Sequence, residues 1–412
     1  MSENILLVVY IFPPAPGIGG RRWAKFAKYF TRLGHNVHVI CNAPKSKEIS
    51  LWIDDVKDNP KIFVHGIPEK YPDVLTDIPK NIFEKIKYQI ALNFVRKNTN
   101  GSLYDRSIFW KENFVNLADN VIAKHNMKNV FVTIAPMNHA CNLIKLKAKY
   151  PDTKFVADFR DPWTSGKNYG FPQLEKLRAE TEENNEALVC KKYDLVASSV
   201  RELCEILPNK HALENSKFYL LEHAIDEDDF SEIENNRDPN FCKIIYNGNL
   251  YEGVKNEFDI IFKTLKNIPN KNYNLSFYIP TLKPEYYEFA EGLEGYVKVN
   301  KALAPKKFFK EMSNSNFVVI VYPEKNADYF TTKFVEIIYL KIPIIFICKT
   351  GYVSNFIEEN RLGIFITKNE IATKLPQLIA TNKMENYNSN FDISKYLYPT
   401  ITKQLVERVN VL

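Results

Sequence analysis

Residues 316–348 limit the possible folds of this chain more than any other segment. Two short apolar runs, at 316–322 and 342–348, enclose a polar loop and a helical pattern. The runs are rich in β-branched residues, which is typical of strands that are covered on both faces of a parallel sheet. Between them, one helical face carries the apolar residues Phe334, Ile337 and Ile338. The segment therefore predicts a strand, a helix and a strand of an α/β sheet, with the polar loop at the carboxyl edge, where such sheets bind ligands.

The N-terminal segment repeats this pattern. A strand is predicted at 5–12, a glycine- and proline-rich loop at 13–20, a helix at 21–33 and a second strand at 37–41. In such a βαβ unit the helix N-terminus and free loop amides can hold an anionic group. Three loop glycines are therefore candidates for a phosphate or acceptor loop: Gly17, Gly19 and Gly20.

The spacing of these glycines is not that of a dinucleotide-binding loop. The pattern G-x-G-x-x-G is absent, and no acidic residue closes the second strand near Cys41, so a dinucleotide site is disfavoured. A glycine turn without any ligand is the alternative interpretation.

Length and composition indicate two domains and a cytoplasmic protein. A chain of 412 residues exceeds what one hydrophobic core usually supports, so two domains of roughly 200 residues are expected. The excess of 55 Lys and Arg over 49 Asp and Glu suits phosphate-bearing ligands or an anionic membrane surface, but it is too small to argue for nucleic acid. The six cysteines lack metal-ligand spacing and predict reduced thiols. We expect neither a signal peptide nor a transmembrane span.

Strands and helices continue to alternate along the rest of the chain. Further strands are expected at 129–134, 154–158, 195–198, 217–221, 241–246, 273–279 and 296–299, and further helices at 137–150, 172–192, 258–268 and 393–411. The acidic, turn-rich segment 225–240 marks a domain boundary. We therefore predict doubly wound domains at 1–230 and 231–392, followed by a C-terminal helix at 393–412 that can cross back to the first domain.

Residues 79–97 form a basic helical pattern with an apolar face. The apolar positions are Ile82, Phe83, Ile86, Ile90, Phe94 and Val95, and the basic ones are Lys80, Lys85, Lys87, Arg96 and Lys97. One interpretation is a core-packed helix with a solvated basic face. The other is contact of residues 80–97 with a membrane surface.

Five motifs resemble those of the GT-B glycosyltransferases, most closely the retaining, family 4-like group (glycosyl transferases group 1). They are PPAPGIGGRRW, ADFRDPWT, LEHAIDEDDF, which looks like N-G-I-D-x-x-x-F, YNGNLYEGVKN, and TTKFVEIIYLKIPII, which looks like K-x-x-E-Y-L-A-x-G-x-P-V-I. The motifs occur in the order and at the spacing of the family, and the resemblance covers nearly the whole chain. The resemblance implies an α/β protein with two tandem doubly wound, Rossmann-like domains that face each other across a cleft.

The resemblance also implies a donor site in the second domain. The family has two glutamates separated by seven residues, which correspond here to Asp328 and Glu336, so the first acid is a departure. By resemblance Glu336 accepts the nucleotide ribose hydroxyls and Asp328 faces the donor sugar. The family's Arg-x5-Lys clamp on the diphosphate corresponds to Asn249 and Lys255, so only the lysine is retained. Lys333 can supply the missing positive charge, although it lacks the bidentate fork of arginine.

Further candidates come from both domains. Gly248 and Thr332 accompany the donor-site residues. Arg160 stands in the D-F-R-D stretch, where many relatives carry a histidine near the transferred sugar, and Asp161 can orient sugar hydroxyls or balance positive charge. His139 can substitute for that histidine, but a lone histidine at a helix start is about as often structural.

These features predict a cytoplasmic glycosyltransferase. We expect it to move a sugar from a nucleoside diphosphate donor to a saccharide or lipid-linked saccharide acceptor, in cell-surface polysaccharide synthesis and at the inner face of the membrane. By resemblance the reaction retains the anomeric configuration, and it needs no metal ion or other cofactor because lysines and loop amides meet the phosphate charge. The alternatives are a sugar-nucleotide epimerase of the same fold and a non-catalytic GT-B scaffold. No nucleic-acid partner is expected.

Overall fold

The chain divides into two compact units. A computed structural model describes residues 3–43, 48–166, 171–248, 250, 252–269, 272–288, 290–384 and 386–412. Unit 1 consists of Met1–Glu222 together with Tyr398–Leu412, and unit 2 of His223–Leu397. The division thus falls just before the acidic segment 225–240.

Unit 1 is built on a parallel sheet. Its described strands are β1 (Asn4–Val8), β2 (Asn36–Ala43), β3 (Ile62–Pro68), β4 (Asn129–Ile134), β5 (Lys154–Phe159), β6 (Leu195–Ser198) and β7 (Phe218–Leu220). Their order across the sheet is β3-β2-β1-β4-β5-β6-β7, so the direction of winding reverses between β1 and β4. Residues 5–8 of β1 are fully buried, which explains why this strand reads as an uninterrupted apolar run.

Helices cover both faces of this sheet. They are α1 (Arg21–Arg32), α2 (Ile82–Asn98), α3 (Lys111–His125), α4 (Asn138–Lys149), α5 (Lys176–Lys192) and α6 (Arg201–His211). On one face, Trp23 of α1 packs on Phe131 of β4 with 5.6 Å between ring centroids. On the other, Phe114 of α3 and Leu143 of α4 belong to the main core of the unit. Two covered faces are what a doubly wound sheet requires.

Unit 2 repeats the architecture. Its described strands are β8 (Cys242–Asn247), β9 (Tyr273–Ile279), β10 (Val297–Lys301), β11 (Phe317–Val321), β12 (Ile344–Ile347) and β13 (Gly363–Ile366), and its helices are α7 (Lys255–Lys266), α8 (Pro284–Glu288), α9 (Pro305–Ser313), α10 (Thr332–Tyr339), α11 (Tyr352–Glu359) and α12 (Ile371–Thr381). The strands are parallel in the order β10-β9-β8-β11-β12-β13, and the winding reverses between β8 and β11. The predicted α/β class with two tandem doubly wound domains is confirmed.

The last helix, α13 (Tyr398–Asn410), follows unit 2 in sequence but belongs to unit 1. The ring of Tyr398 stacks on Tyr29 of α1, with 5.8 Å between centroids, and meets Phe26 edge-on at 5.3 Å. Aromatic contacts of this kind anchor the end of the chain on α1.

Several elements of the structure were not predicted from the sequence. They are strands β3 and β13 and helices α3, α6, α8, α9, α11 and α12. Among the described residues, no helix combines the length and the apolar character that crossing a membrane requires.

Candidate functional site

The candidate donor site lies in unit 2, where the winding of the sheet reverses. Strand β8 ends at Asn247 and strand β11, its neighbour, ends at Val321. The chain leaving β11 returns to this edge as helix α10, which begins at Thr332. A crevice at such a reversal is the usual ligand position in open α/β sheets.

Lys333, in the first turn of α10, reaches across the reversal point. Its Nζ donates a hydrogen bond to the carbonyl oxygen of Asn247 at 2.6 Å. Burial lowers the pKa of the Lys333 ammonium, and the charge of Glu336 partly opposes that effect. A bound anion would favour the charged form of this lysine, so the position suits a phosphate group.

Glu336 lies one helical turn after Lys333, on the same side of α10. Its side chain is buried, and its neighbours on the helix, Val335 and Ile337, belong to the apolar core. A carboxylate in this position can accept hydrogen bonds from a ligand's hydroxyl groups.

Gly248 follows β8 directly, in a backbone conformation that favours glycine. Its φ angle is +150°, which residues with a side chain rarely adopt, and a Cβ atom added there would lie 2.9 Å from Lys333 Nζ. Its own N–H donates to the carbonyl oxygen of Tyr278 on β9. The glycine therefore allows the lysine to lie against the strand end.

The start of α10 is held by two side-chain contacts. Thr331, the N-cap residue, makes no side-chain cap, and its Oγ1 lies 3.0 Å from the hydroxyl oxygen of Tyr322. The Oγ1 of Thr332 lies 3.2 Å from Nδ1 of His223. Because Thr331 does not cap the helix with its side chain, the first backbone N–H groups of α10 can face an anion.

Asp328 precedes α10 and is tied to the next helix. Its Oδ1 accepts a hydrogen bond from the backbone N–H of Tyr352, at the start of α11, at 2.6 Å. A Cβ atom on Gly351 would lie 2.6 Å from the same oxygen, so the glycine lets the carboxylate approach. This hydrogen bond orients the Asp328 carboxylate toward the start of α11.

Only one of the two residues that correspond to the family's diphosphate clamp is among the described residues. Lys255 is the first residue of α7 and is exposed. Asn249, the position of the family's arginine, lies outside the described residues.

A cavity lies at the corresponding reversal point of unit 1. It measures about 390 Å³, which is within the range of small-molecule sites. It is lined by the residues that follow β1, by the end of β4 and by Gly19, together with the charged residues Asp105, Arg106, Arg160 and Asp161.

The structure brings part of the glycine loop together with Arg160. The guanidinium Nη1 of Arg160 donates to the carbonyl oxygen of Gly19 at 2.7 Å. Gly17 has a φ angle of +123°, and Gly20, the N-cap residue of α1, would place a Cβ atom 3.3 Å from the carbonyl oxygen of Ile11. These contacts fold the loop back onto the residues that follow β1.

Two polar residues of the same sheet edge face inward instead. The His139 side chain is fully buried, and its Nε2 lies 2.6 Å from the carbonyl oxygen of Thr133. Burial lowers the pKa of this imidazole. Asp158 is also fully buried, where it accepts a hydrogen bond from Trp23 Nε1 at 3.0 Å and lies 3.5 Å from Nε of Arg22. Both side chains are held by contacts inside unit 1. The sequence allowed His139 to be either a site residue or a structural histidine, and its burial favours the structural interpretation.

Sequence reasoning missed Asp105, which organises this edge of unit 1. One carboxylate oxygen accepts from the backbone N–H groups of Met137 and Asn138, both at 2.7 Å, and the other from Ser107. The carboxylate thus takes up the N-terminal amides of α4 and leaves them no ligand to bind. An Asp-x-Ser sequence is the only local signal, and it is too common to identify such a contact.

Comparison with known proteins identifies the fold. No family model and no curated protein sequence matches the chain. Among solved structures it is similar to a glycosyltransferase from Rickettsia africae (13% identity, TM-score 0.63, covering 100% of this chain and 98% of that one). It is also similar to the apo form of the lipopolysaccharide outer core galactosyltransferase WaaB (10%, TM-score 0.59, 99% and 99%) and to UDP-GlcNAc 2-epimerase from Methanocaldococcus jannaschii (11%, TM-score 0.54, 100% and 100%). The chain therefore has the GT-B fold that its sequence motifs predict.

Proposed function

We propose that this protein is a glycosyltransferase that takes its sugar from a nucleoside diphosphate donor bound to unit 2. The observation that carries the proposal is the group formed by Gly248, Lys333 and Glu336 at the reversal point of the sheet. It puts a cation and a carboxylate one helical turn apart, next to a helix N-terminus. That combination suits a ligand with a phosphate at one end and hydroxyl groups at the other.

The diphosphate would lie against the start of α10. Lys333 Nζ, held on the carbonyl oxygen of Asn247, provides the positive charge, and the first amides of the helix provide further donors. Lys255 at the start of α7 is the second cation of the proposed clamp. Glu336 would accept the ribose hydroxyls, and Thr332 holds the helix start through His223.

The acceptor would bind in the 390 Å³ cavity of unit 1. Arg160 and Asp161 can form hydrogen bonds to saccharide hydroxyls or to a phosphate of a lipid-linked acceptor. Gly17, Gly19 and Gly20 would shape this cavity instead of gripping the donor. A saccharide or lipid-linked acceptor, in polysaccharide synthesis at the inner face of the membrane, is part of the proposal.

The proposed reaction retains the anomeric configuration and uses no metal ion. The bond from the anomeric carbon to the diphosphate breaks, and its electron pair leaves with the phosphate oxygen. The acceptor oxygen attacks the same face, and its proton passes to the departing phosphate. Lys333, Lys255 and the helix amides stabilise the charge that develops on the phosphate, while the carboxylate of Asp328 balances the cationic sugar.

The experiment is a turnover assay with a panel of nucleoside diphosphate sugars, with and without saccharide acceptors. We expect release of the nucleoside diphosphate for one donor, stimulated by an acceptor, and roughly a hundredfold lower turnover for Lys333→Met. Lys325→Met, in the exposed turn Glu324–Asn326, is the matched control and should behave as wild type. No turnover with any donor, or equal turnover in Lys333→Met, would contradict the proposal.

An epimerase is the second candidate, because UDP-GlcNAc 2-epimerase from M. jannaschii is also similar over the full chain. It would convert its sugar nucleotide without an acceptor, so NMR spectra of the donor alone distinguish the two activities. Nucleotide binding without any turnover would instead favour a non-catalytic scaffold.

A further inference from the structure

Helix α2 (Ile82–Asn98) has two apolar faces. One is packed on unit 1, and the other is largely exposed, although its Phe94 ring stacks on Phe109 with 5.4 Å between ring centroids. The packed face includes the buried Val95, together with Tyr88, Ala91 and Leu92, which contact a small core formed by Tyr71, Leu75, Leu103 and Ile108. The other face carries Ile82, Phe83, Ile86, Ile90 and Phe94, and each of these side chains is at least 52% exposed. We call these five residues the α2 stripe.

The α2 stripe is continuous. Four of its residues follow one another at intervals of four, which aligns them along one side of a helix, and Ile78, 87% exposed, extends the apolar surface before the helix begins. Single exposed apolar residues are common, but a contiguous row of large ones marks an interaction surface. The inner face of α2 is thus packed on unit 1, whereas the outer face is exposed apart from the contact of Phe94 with Phe109.

The charge next to the α2 stripe is strongly basic. Residues 80–97 contain five basic side chains and one acidic side chain: Lys80, Lys85, Lys87, Arg96 and Lys97 against Glu84. All five basic residues are exposed, and Arg96 lies 3.6 Å from Glu175, the N-cap residue of α5. A row of aliphatic and aromatic side chains bordered by lysines is the pattern of helices that lie in the interface of an anionic bilayer.

We propose that α2 docks flat on a bilayer that contains anionic phospholipid. The stripe enters the boundary between headgroups and acyl chains, and the flanking lysines lie against the phosphates. A second copy of this chain is a poorer occupant, because a symmetric contact between two stripes would bring two sets of basic side chains together.

The docked helix is coupled to the cavity of unit 1. The hydroxyl oxygen of Tyr88 lies 3.5 Å from that of Tyr104, and Tyr104 lines the cavity. The turn after α2 is held by Arg178, which donates to the carbonyl oxygens of Thr99 and Gly101 at 2.7 and 2.9 Å. Docking would therefore hold the cavity close to the bilayer surface. A cavity close to the bilayer favours an acceptor carried by a lipid, and this consequence rests on the proposed function. Membrane binding by α2 does not depend on the proposed function.

The test is co-sedimentation of the full chain with vesicles, without donor or acceptor. We expect binding to vesicles of phosphatidylcholine mixed with phosphatidylglycerol, weaker binding to phosphatidylcholine alone, and loss of binding at high salt. Ile86→Asp/Ile90→Asp should weaken binding at least roughly tenfold, and Lys85→Gln/Lys87→Gln should weaken only the binding to anionic vesicles. Val411→Asp, which changes an exposed apolar residue outside the stripe, is the control and should bind as wild type.

Thermal unfolding of each variant shows whether it folds, and Ile86→Gln/Ile90→Gln repeats the test if the aspartates unfold the helix. Absence of wild-type binding to the anionic vesicles, or equal binding by the stripe variants, would overturn the proposal. So would a wild-type dimer in sedimentation velocity that the stripe variants abolish and that does not bind vesicles. An inactive enzyme that still binds vesicles would contradict the proposed function and leave this inference standing.

Discussion

At the scale of single residues, the candidate donor site depends on one close approach. Lys333 Nζ lies on the strand end, in a position that a Cβ atom on residue 248 would approach to 2.9 Å. The sequence predicted both residues, because they lie next to a strand end and a helix start that are recognisable locally.

Gly248→Ala tests this approach. The new methyl group would meet Lys333 Nζ at 2.9 Å on a backbone with φ of +150°. We expect a loss of about 1–3 kcal/mol in the free energy of unfolding and weaker nucleotide binding. Denaturant titration and calorimetry measure the two effects. Gly253→Ala is the control, because its methyl group would make only ordinary contacts of 3.6 Å with Pro323.

Asp328 allows its structural and chemical roles to be separated. An asparagine retains the Oδ1 atom that accepts from the N–H of Tyr352, but it removes the charge. We expect Asp328→Asn to lower turnover at least roughly tenfold with unchanged melting temperature and nucleotide affinity, whereas Asp328→Ala also lowers the melting temperature. Normal turnover in Asp328→Asn would show that the carboxylate only holds α11.

Other side chains could not be placed from the sequence. His139 and Asp158 look like site residues because they lie at a helix start and a strand end. Their direction depends on tertiary packing. Nε2 of His139 lies 2.6 Å from the carbonyl oxygen of Thr133 and its ring stacks on Trp110. Trp23 and Arg22, which are distant in sequence, contact the carboxylate of Asp158. No local pattern contains that information.

At the scale of elements, the buried central strands and the edge strands β7 and β10 were predictable, and the edge strands β3 and β13 were not. Strand β3 lies at the edge of its sheet, and its Phe63 and Val64 are exposed, so it lacks the continuous apolar run of a buried strand. Strand β13 lies at the edge of the other sheet and has only four residues. Helix α2 was predicted, with core packing and membrane contact as its two interpretations. The sequence could not show which apolar residues pack on unit 1 and which remain exposed, because that depends on the tertiary structure.

Three histidines beside the edge of the unit 1 sheet predict a pH dependence of stability. His38 on β2 lies with its Nδ1 3.1 Å from Nε2 of His65 on β3, and its ring centroid is 4.1 Å from that of His125. Burial, followed by the charges of His125, His65 and Lys124, lowers the pKa of His38 to about 4, and burial lowers that of His65 as well.

Because these pKa values are lower in the folded chain, the unfolded chain binds more protons between about pH 6.5 and pH 4. His38 and His65 therefore destabilise the fold progressively as the pH falls through that range, by about 1–3 kcal/mol for His38. Denaturant titrations from pH 7 to pH 5 should show the decrease, and His38→Gln should make it shallower. A free energy of unfolding that stays constant over this range would contradict the assignment.

At the scale of the whole molecule, two doubly wound units each present a polar group at the point where the sheet reverses. Unit 2 presents Lys333 and Glu336, and unit 1 presents a cavity with Arg160 and Asp161. The resemblance of sequence motifs predicted two such domains, and motifs of both domains lie at strand ends: ADFRDPWT begins in β5 and YNGNLYEGVKN in β8. The domain membership of α13 rests on its aromatic contacts with α1.

The central claim is that the reversal point of unit 2 binds a nucleoside diphosphate, and titration calorimetry with UDP, GDP and ADP tests it most directly. We predict binding of one of these to the wild-type protein and roughly 10–100-fold weaker binding to Glu336→Gln and to Lys333→Met. Glu324→Gln, an exposed glutamate in the turn before α10, is the control and should bind as wild type. Absence of binding by all three nucleotides, or wild-type affinity in both site variants, would contradict the claim.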